Sequence, residues 1–255
     1  MFNNGRLTFT DGRLHTIKYT VTDVKGNKST LTFNVQTNSS AIIATPENQR
    51  GVLFSYQKTA EYNAENVKVM LPQGTLYNDL NFIYKTTAKP AKNAFSNIHT
   101  IHNNLTPLHT GFSLWIRPDS NLSQWKDKAV IVNVNRSSQG GIFEDGWIKA
   151  TPKVFGSYFV AIDTIAPTII PVNIIDGKNL SEVSKIAFRI SDNLSGIKSF
   201  NGYIDNNWVL FEFDAKSANL WHTFDGRIKP GKHSLELVVE DMKGNVKKYS
   251  AIFSR

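Results

Sequence analysis

The stretch His233–Phe253, HSLELVVEDMKGNVKKYSAIF, decides the fold of this chain. Apolar and polar side chains alternate on both sides of Asp-Met-Lys-Gly-Asn, and a period of two predicts strands with one buried face. Gly244 and Asn245 tolerate the positive φ that a tight reversal requires. The stretch is therefore predicted to be an antiparallel hairpin with one apolar face. A second sheet must cover that face, because two isolated strands are only marginally stable in water.

A second copy of this pattern lies near the N-terminus, at His15–Val35, HTIKYTVTDVKGNKSTLTFNV. Both copies begin with His-[Ser/Thr]-[Leu/Ile], and both contain Val-x-Asp-x-Lys-Gly-Asn at the same spacing, so that Asp23 matches Asp241. The chain is therefore predicted to hold two hairpins of one kind, each the closing ribbon of a sandwich. These residues predict an architecture, but they do not by themselves predict a function.

The similarity continues upstream of both hairpins, where residues 6–13 parallel residues 220–227 with a small slip in register. Residues 1–36 are thus predicted to match the last three strands of the C-terminal stretch, without a counterpart of about 168–218. This pattern suggests that Met1 is not the native start and that the chain is the tail of a longer protein. The alternative is that residues 1–36 add strands to the next module.

Composition favours a chain built from strands. The 255 residues are 40% apolar and include 16 Phe and 8 Tyr, which favour β structure, and the length predicts roughly two domains. The absence of cysteine excludes disulfides, thiol catalysis and cysteine-ligated zinc. The net charge of +8 is spread along the chain, which argues weakly for an acidic surface or polymer as a neighbour and against a nucleic-acid groove. A solvated Lys-rich surface is the simpler explanation.

Targeting, membrane and cofactor motifs are not recognisable in the sequence. Met1–Thr10 is polar and lacks the apolar core of a signal peptide, and no apolar run approaches the length of a membrane span. The sequence contains no Gly-x-Ser-x-Gly elbow, no phosphate-loop motif and no dinucleotide fingerprint. It therefore predicts no membrane span, no bound cofactor and none of the chemistry that these motifs support.

Turn signals divide the chain into segments. Residues 37–50 hold an Asn-Ser-Ser cluster and Pro46, and they are predicted to be a linker. Residues 51–166 contain seven short β-like runs separated by Pro and Gly turns, as expected of a sandwich. The runs are Val52–Tyr56, Asn66–Leu71, Leu80–Tyr84, Gly111–Arg117, Ala129–Val134, Gly146–Thr151 and Gly156–Ile162. No segment shows a sustained helical period.

A boundary is predicted at Asp163-Thr-Ile-Ala-Pro167, because proline fixes its own φ and favours an extended predecessor. The remainder then gives about seven strands, the number found in immunoglobulin-like domains. The predicted fold is all-β, with tandem β-sandwich modules: a partial immunoglobulin-like module (1–36), a central β-sandwich (51–166) and a C-terminal immunoglobulin-like module (167–255).

The histidines His99 and His102, with His109 nearby, are the first candidate site. Two histidines three residues apart on a strand point to opposite faces, so they cannot share a metal there, although they could in a loop. No His-Glu-x-x-His motif supports a metal site. A surface or packing role is therefore favoured over metal ligation.

Acidic residues give a second group of candidates. The adjacent pairs Glu144-Asp145 and Glu240-Asp241 diverge on a strand, whereas the two carboxyls of a glycosidase face one bond, so catalysis is not predicted. Turns such as Asp192-Asn193 offer oxygens to calcium, which takes about six to eight. Lysine inside both Asp-x-Lys-Gly-Asn turns weakens that idea. Asp241 is predicted to shape its turn by accepting backbone hydrogen bonds, and no metal site is predicted.

Tryptophans are the remaining candidates for a site, and the chain has five: Trp115, Trp125, Trp147, Trp208 and Trp221. Tryptophan buries a large area in sandwiches, so core filling is the simplest role. Trp115 lies in an alternating run and is predicted to be a core residue. Trp125 and Trp147 lie in polar, Gly-rich contexts and are the better candidates for a surface that binds a glycan.

Several motifs resemble known families. The repeated hairpin resembles bacterial immunoglobulin-like domains. A more specific resemblance, to the C-terminal, non-catalytic region of Bacteroidetes zinc endopeptidases of the lysostaphin (LytM-like) type, rests on four segments. These are ISDNLSGI (190–197), FNGYIDNNWVLFEFD (200–214), GIFEDGW (141–147), and Phe155-Gly156 followed by Asp163-Thr-Ile-Ala-Pro167. The resemblance covers most of the chain and implies a protein that acts on peptidoglycan outside the cytoplasm.

The zinc site of that family has no counterpart here. Its catalytic domain carries His-x-x-x-Asp and a later His-x-His, whereas no histidine of this chain has Asp four positions later and no His-x-His occurs. The resemblance therefore implies the accessory part of such a protein, with the catalytic domain upstream of Met1 in the same polypeptide. It also implies an extracytoplasmic location, in the periplasm or cell envelope, reached through a signal that this chain does not contain.

The predicted function is that of a non-catalytic accessory region that spaces or targets a peptidoglycan endopeptidase at the cell wall. Its expected partner is peptidoglycan or another wall glycan. One alternative is a stand-alone surface module for glycan binding or adhesion. A weaker one is an unrecognised hydrolase with its site in the central domain.

Overall fold

The computed structural model describes residues 7–37, 51–90, 93–119, 122 and 124–255 of the chain. The predicted linker, 37–50, lies outside the described residues except for Thr37. The chain divides into two compact units, Met1–Arg50 and Gly51–Arg255.

The described part of the first unit contains the predicted N-terminal hairpin, formed by β1 (Leu14–Thr22) and β2 (Lys28–Gln36). Asp23 closes the turn between them. Its Oδ1 accepts hydrogen bonds from the backbone N–H groups of Lys25 (2.8 Å) and Asn27 (2.9 Å), and its Oδ2 accepts one from the Asn27 side chain (2.7 Å). These bonds, with the Asn27 side chain foremost, lower the pKa of Asp23. The turn chemistry predicted for this sequence is confirmed.

The apolar face of this hairpin is exposed in the described structure, and Val21 alone has 70% of its surface accessible. Residues 7–13 form no strand, so the prediction of a third strand here is wrong. No backbone ladder joins residues 7–13 to β1 or β2. Side chains at the end of the hairpin contact them instead, since the Gln36 amide donates to the carbonyl of Gly12 (2.8 Å) and the Thr37 hydroxyl donates to the carbonyl of Phe9. The other large side chains of the exposed face are Tyr19, Leu31 and Phe33.

Residues 51–163, called the middle module below, form eleven strands in the described structure. A 3₁₀ turn, Lys126–Lys128, lies directly before the strand that begins at Ala129. The strands are β3 (Val52–Phe54), β4 (Ala60–Ala64), β5 (Val67–Leu71), β6 (Leu80–Phe82), β7 (Tyr84–Thr87), β8 (Ile98–Ile101), β9 (Ser113–Ile116), β10 (Ala129–Asn133), β11 (Ile142–Glu144), β12 (Trp147–Ala150) and β13 (Gly156–Ile162). They pair in the orders β10-β13-β8-β7, β11-β12-β9-β5-β4 and β3-β6.

The core of the middle module lies between its two larger sheets. Val69, Leu114 and Ile148 come from the sheet β11-β12-β9-β5-β4, and they belong to one cluster with Ile131 and Val160 of the facing sheet. Each such side chain stabilises the fold by about 1.5–3 kcal/mol when fully buried. The prediction of a central β-sandwich is confirmed.

The C-terminal module, residues 168–255, has nine strands rather than about seven, and three of them are only two or three residues long. The strands are β14 (Thr168–Pro171), β15 (Lys178–Asn179), β16 (Lys185–Ser191), β17 (Ile197–Ile204), β18 (Asn207–Val209), β19 (Glu212–Asp214), β20 (Asn219–Thr223), β21 (Lys232–Asp241) and β22 (Val246–Ser254). Two sheets result, in the orders β14-β16-β20-β19 and β15-β22-β21-β17-β18.

The hairpin β21–β22 repeats the N-terminal hairpin residue for residue. His233 lies opposite Phe253, as His15 lies opposite Val35. The Oδ1 of Asp241 accepts hydrogen bonds from the N–H groups two and four residues later, as Asp23 does. In this copy, however, the apolar face is buried in the core of the sandwich. The fold class predicted from the repeated hairpin is therefore confirmed.

Gly202 of β17 provides the space that a core phenylalanine occupies. A Cβ at this position would lie 2.1 Å from Cε2 of Phe211, whose ring packs 6.2 Å from the ring of Phe188. Gly202→Ala is therefore expected to lower the free energy of unfolding by about 1–3 kcal/mol, because the buried ring must move. Urea denaturation measures this change.

Gly226→Ala is the matched control for this substitution, since a Cβ there meets nothing within 4 Å and the backbone has no positive φ. We expect its effect to stay within about 0.5 kcal/mol. If Gly202→Ala and Gly226→Ala shift the denaturation midpoint equally, the close approach at Phe211 does not control stability.

Candidate functional site

The outer face of the sheet β11-β12-β9-β5-β4 carries the candidate site. Successive side chains of a strand point to opposite faces, and in β9 Leu114 and Ile116 are buried. Trp115 lies between them and therefore faces away from the core, where it is only half-buried. The prediction that Trp115 is a core residue is wrong. The alternating run correctly predicted a strand, but the residues on the buried face are Leu114 and Ile116 rather than Trp115.

Strand register places cationic side chains on both sides of Trp115. Lys68 of β5 and Lys149 of β12 are its cross-strand partners. The Nζ of Lys149 lies 5.1 Å from the centroid of the Trp115 ring. Such a contact contributes about 0.5–1 kcal/mol at an exposed site.

Trp147 begins β12, directly after a tight turn at Asp145 and Gly146. Their φ values of 49° and 82° are those of the two-residue hairpin turn that Asp-Gly favours. Two cations cover the indole: the Nζ of Lys68 lies 4.5 Å from the ring centroid, and the Cζ of Arg117 lies 4.4 Å from it. Trp147 is consequently only 7% exposed, although it belongs to the outer face.

These side chains line an open groove of about 400 Å³, which we call the Trp115–Trp147 groove. Its polar lining contains both charge signs, and Glu144 Oε2 lies 4.0 Å from Lys149 Nζ in an exposed, weak pair. The groove thus offers indole surface together with ammonium and carboxylate groups. Such a lining suits a ligand with ring faces, hydroxyls and charged groups. The polar lining residues are Glu61, Asn63, Lys68, Glu144, Asp145 and Lys149.

Trp125, the other tryptophan predicted for a ligand surface, lies elsewhere. It precedes the 3₁₀ turn. Its backbone N–H donates to the carbonyl of Leu122 (2.8 Å), and its backbone carbonyl accepts from the backbone N–H of Lys128 (2.9 Å). Its side chain is 39% exposed, but it does not line the groove. The structure therefore combines Trp147 with Trp115 in one groove, not with Trp125.

The candidate histidines take part in separate contacts. His99 is 2% exposed, with its Nδ1 2.7 Å from the Oη of Tyr84, and burial lowers its pKa to about 4. His102 follows β8 with a φ of 52°, and burial lowers its pKa as well. His109 Nδ1 lies 3.3 Å from the Oη of Tyr77. Among the described residues, these histidines do not form a group with closely spaced ligating atoms.

A second concave surface, absent from the sequence-based prediction, lies in the C-terminal module. It is a cavity of about 780 Å³ beside Trp208, which is well exposed. His233 lines it, with Nδ1 2.6 Å from Oδ2 of Asp205, and this contact raises the pKa of His233. Asp205 and Asn206 have positive φ values and form the tight turn that leads to Trp208. The sequence signal available for this surface was the Asp205-Asn206 turn, because Asp and Asn tolerate positive φ.

Comparison with known proteins gives one family match. The Zu5-like domain family matches residues 51–163, the middle module. No curated protein sequence matches the chain. Among the described residues, no helix has the length and apolar character needed to cross a membrane.

Solved structures show a weak likeness. The endo-beta-1,4-mannanase from Thermotoga petrophila is 15% identical, with a TM-score of 0.31, and the match covers 36% of this chain and 20% of that chain. The chain thus spans only about a fifth of the mannanase. The fibronectin(III)-like modules of Clostridium thermocellum CbhA are 10% identical, with a TM-score of 0.29, over 68% of this chain and 93% of that chain.

Proposed function

We propose that this chain is a non-catalytic β-sandwich region that holds a peptidoglycan-cutting zinc endopeptidase at the cell wall, and that it binds the wall through the Trp115–Trp147 groove. The catalytic domain would belong to the same polypeptide, upstream of the residues present here. The site of action would be outside the cytoplasm.

The groove is the observation that carries this proposal. Glycan strands present apolar ring faces and hydroxyls, and the stem peptides of a wall present carboxylates and amines. Trp115 supplies partly accessible indole surface, and Lys68 and Lys149 supply ammonium groups beside it. The acidic side chains on the same rim complement amines. Because the groove is open rather than enclosed, a polymer can extend beyond the few units that the groove contacts.

Charge and resemblance support the same proposal. The excess of basic residues, +8 over the whole chain, attracts a polymer that bears carboxylates. The resemblance to the accessory region of LytM-like endopeptidases is the reason for proposing that the attached catalytic domain is such an endopeptidase. A module that binds its polymer weakly raises the local concentration of the attached catalytic domain.

Trp115→Ala is expected to weaken binding to purified peptidoglycan about tenfold, because the indole is the largest side chain in the groove that a ligand can contact. A sedimentation assay with insoluble peptidoglycan measures the dissociation constant. Lys149→Met is expected to weaken binding less and to reduce its dependence on salt, since it removes one charge.

Trp208→Ala is the control, because Trp208 is an exposed tryptophan of the other module. It should leave the dissociation constant within about twofold. Loss of binding with Trp208→Ala but not with Trp115→Ala would place the ligand surface in the C-terminal module. Binding to another surface glycan, with none to peptidoglycan, would instead favour a stand-alone adhesion module. Clearing of cell walls in a zymogram would contradict a non-catalytic role.

A further inference from the structure

Three aspartates meet where the middle and C-terminal modules join. Asp163 follows β13, Asp192 follows β16, and Asp241 ends β21, so one comes from the middle module and two from the C-terminal module. Each offers a carboxylate oxygen, and the three oxygens lie within 4.8 Å of one another. Asp163 is 1% exposed and Asp241 is not exposed at all. Burying like charges this close together is unfavourable unless a cation neutralises them.

Direct contacts join the two modules beside the aspartates. Ser195 N–H donates to Asp163 Oδ2 (2.9 Å), and the Asn245 side chain donates to the carbonyl of Asp163 (3.1 Å). Leu194 packs against Val130 and Phe159, on the outer face of the sheet that contains β10 and β13. The aspartates are therefore held in place by the packing of two modules rather than gathered on one loose loop.

Two buried oxygens at this joint have no hydrogen-bond partner among the described residues. One is Asp192 Oδ1, and the other is the hydroxyl of Ser195, the residue that bonds to Asp163. Each atom exposes less than 1 Å² to solvent. The other oxygen of Asp192, by contrast, accepts the N–H groups of Leu194 (3.0 Å) and Gly196 (2.8 Å). Buried polar atoms are seldom left without partners, so these two oxygens are available to a further ligand.

Neighbouring lysines do not pair directly with the cluster. The Nζ of Lys243 donates to the carbonyl of Gly141, and the Nζ of Lys128 donates to the carbonyl of Lys243 and to Asn245 Oδ1. Among the described residues, neither ammonium lies within 4.0 Å of a carboxylate of the three aspartates. Lys243 interacts electrostatically with Asp163 and Asp241 at longer range, so its charge offsets part of the negative charge of the cluster.

We propose that a calcium ion binds at this joint, held by Asp163, Asp192 and Asp241, with Ser195 Oγ as a further ligand. Calcium takes about six to eight oxygens in flexible geometry and accepts water in the remaining positions, whereas magnesium demands a near-ideal octahedron. Bound there, the ion ties a residue of the middle module to two turns of the C-terminal module. This proposal is independent of what the Trp115–Trp147 groove binds.

Thermal unfolding of the full chain tests the site. Calcium chloride, added to protein first stripped with a chelator, is expected to raise the midpoint by about 5 °C at saturation. Calorimetric titration is expected to give one ion per chain, with a dissociation constant on the order of 10⁻⁴ M. Magnesium chloride of equal ionic strength separates specific binding from screening. An unchanged midpoint, or an equal rise with magnesium, would overturn the proposal.

Two variants locate the ion. Asp192→Asn is expected to abolish the calcium-dependent rise and, in chelator, to be at least as stable as the parent, because it removes a repelling charge. Ser195→Ala removes a hydroxyl that has no partner, so it should fold normally and bind calcium several-fold more weakly. Asp23→Asn is the matched control, since it alters the same kind of turn in the N-terminal hairpin and should keep the full rise. A full rise in Asp192→Asn, or its loss in Asp23→Asn, would overturn the assignment.

Discussion

Val239→Asn is expected to lower the free energy of unfolding of residues 51–255 by about 4 kcal/mol, whereas Val21→Asn is expected to change it by less than about 1 kcal/mol. The two valines occupy the same position in the two copies of the hairpin. Val239 is fully buried and Val21 is 70% exposed. The buried substitution loses about 1.5 kcal/mol or more of apolar burial and adds an amide without partners, which costs about 1–3 kcal/mol more.

Urea unfolding followed by tryptophan fluorescence measures both effects, because Trp208 and Trp221 report on the C-terminal module. The pair is a stringent comparison, since residue type, strand and register are shared and only the covering sheet differs. If Val21→Asn proved as damaging as Val239→Asn, the N-terminal face would be covered in solution and its exposure in the described structure would be contradicted.

Acid is expected to destabilise the middle module through His99. Burial holds the pKa of this imidazole at about 4, against 6.5 for an ordinary histidine. Below 6.5 the unfolded chain takes up a proton that the folded chain does not, so stability is lost as the pH falls from about 6.5 to 4 and is fully present above that range. The difference in pKa corresponds to on the order of 3 kcal/mol.

The contribution of His99 is measured as a difference in pH dependence. His99→Gln is expected to be less stable than the parent at pH 7, because it disturbs the contact with Tyr84, but to lose less stability on acidification. His109→Gln, at an exposed histidine, should keep the slope of the parent. The same slope in all three proteins would mean that His99 is already protonated in the folded state or accessible to water.

The strands of the middle module were predictable where apolar alternation is regular. Each of the seven β-like runs recognised there contains a strand, for example Ala129–Val134 around β10 and Gly156–Ile162 at β13. The strands β4, β7, β8 and β11 were not recognised. In β8 the two buried positions are His99 and Ile101, so a polar residue occupies a core position and hides the alternation. Such strands depend on neighbours that are distant in sequence.

The candidate groove was predictable only in part. The sequence context singled out Trp147, but Trp115 was assigned to the core, because a period of two does not tell which face is buried. That phase is decided by Leu114 and Ile116, which pack against the facing sheet. The cationic partners of Trp115 come from strands on either side of it, and their register cannot be read from a local pattern.

The aspartate cluster shows the same limit of local patterns. The turn chemistry of Asp241 was predicted and is confirmed by its hydrogen bonds. Its proximity to Asp163 and Asp192 was not predicted, because it depends on how two modules pack and not on any motif within one of them.

The uncovered face of the N-terminal hairpin also affects how the protein behaves in concentrated solution. Tyr19, Val21, Leu31 and Phe33 form a water-facing hydrocarbon strip on every molecule, in a ribbon of only two strands. Exposed apolar surfaces on edge strands associate with one another, so a high protein concentration and kosmotropic salts are expected to favour aggregation through this face. A mild detergent is expected to cover the face and to reduce aggregation. Association of the protein at high concentration is thus expected to depend on the ribbon formed by β1 and β2.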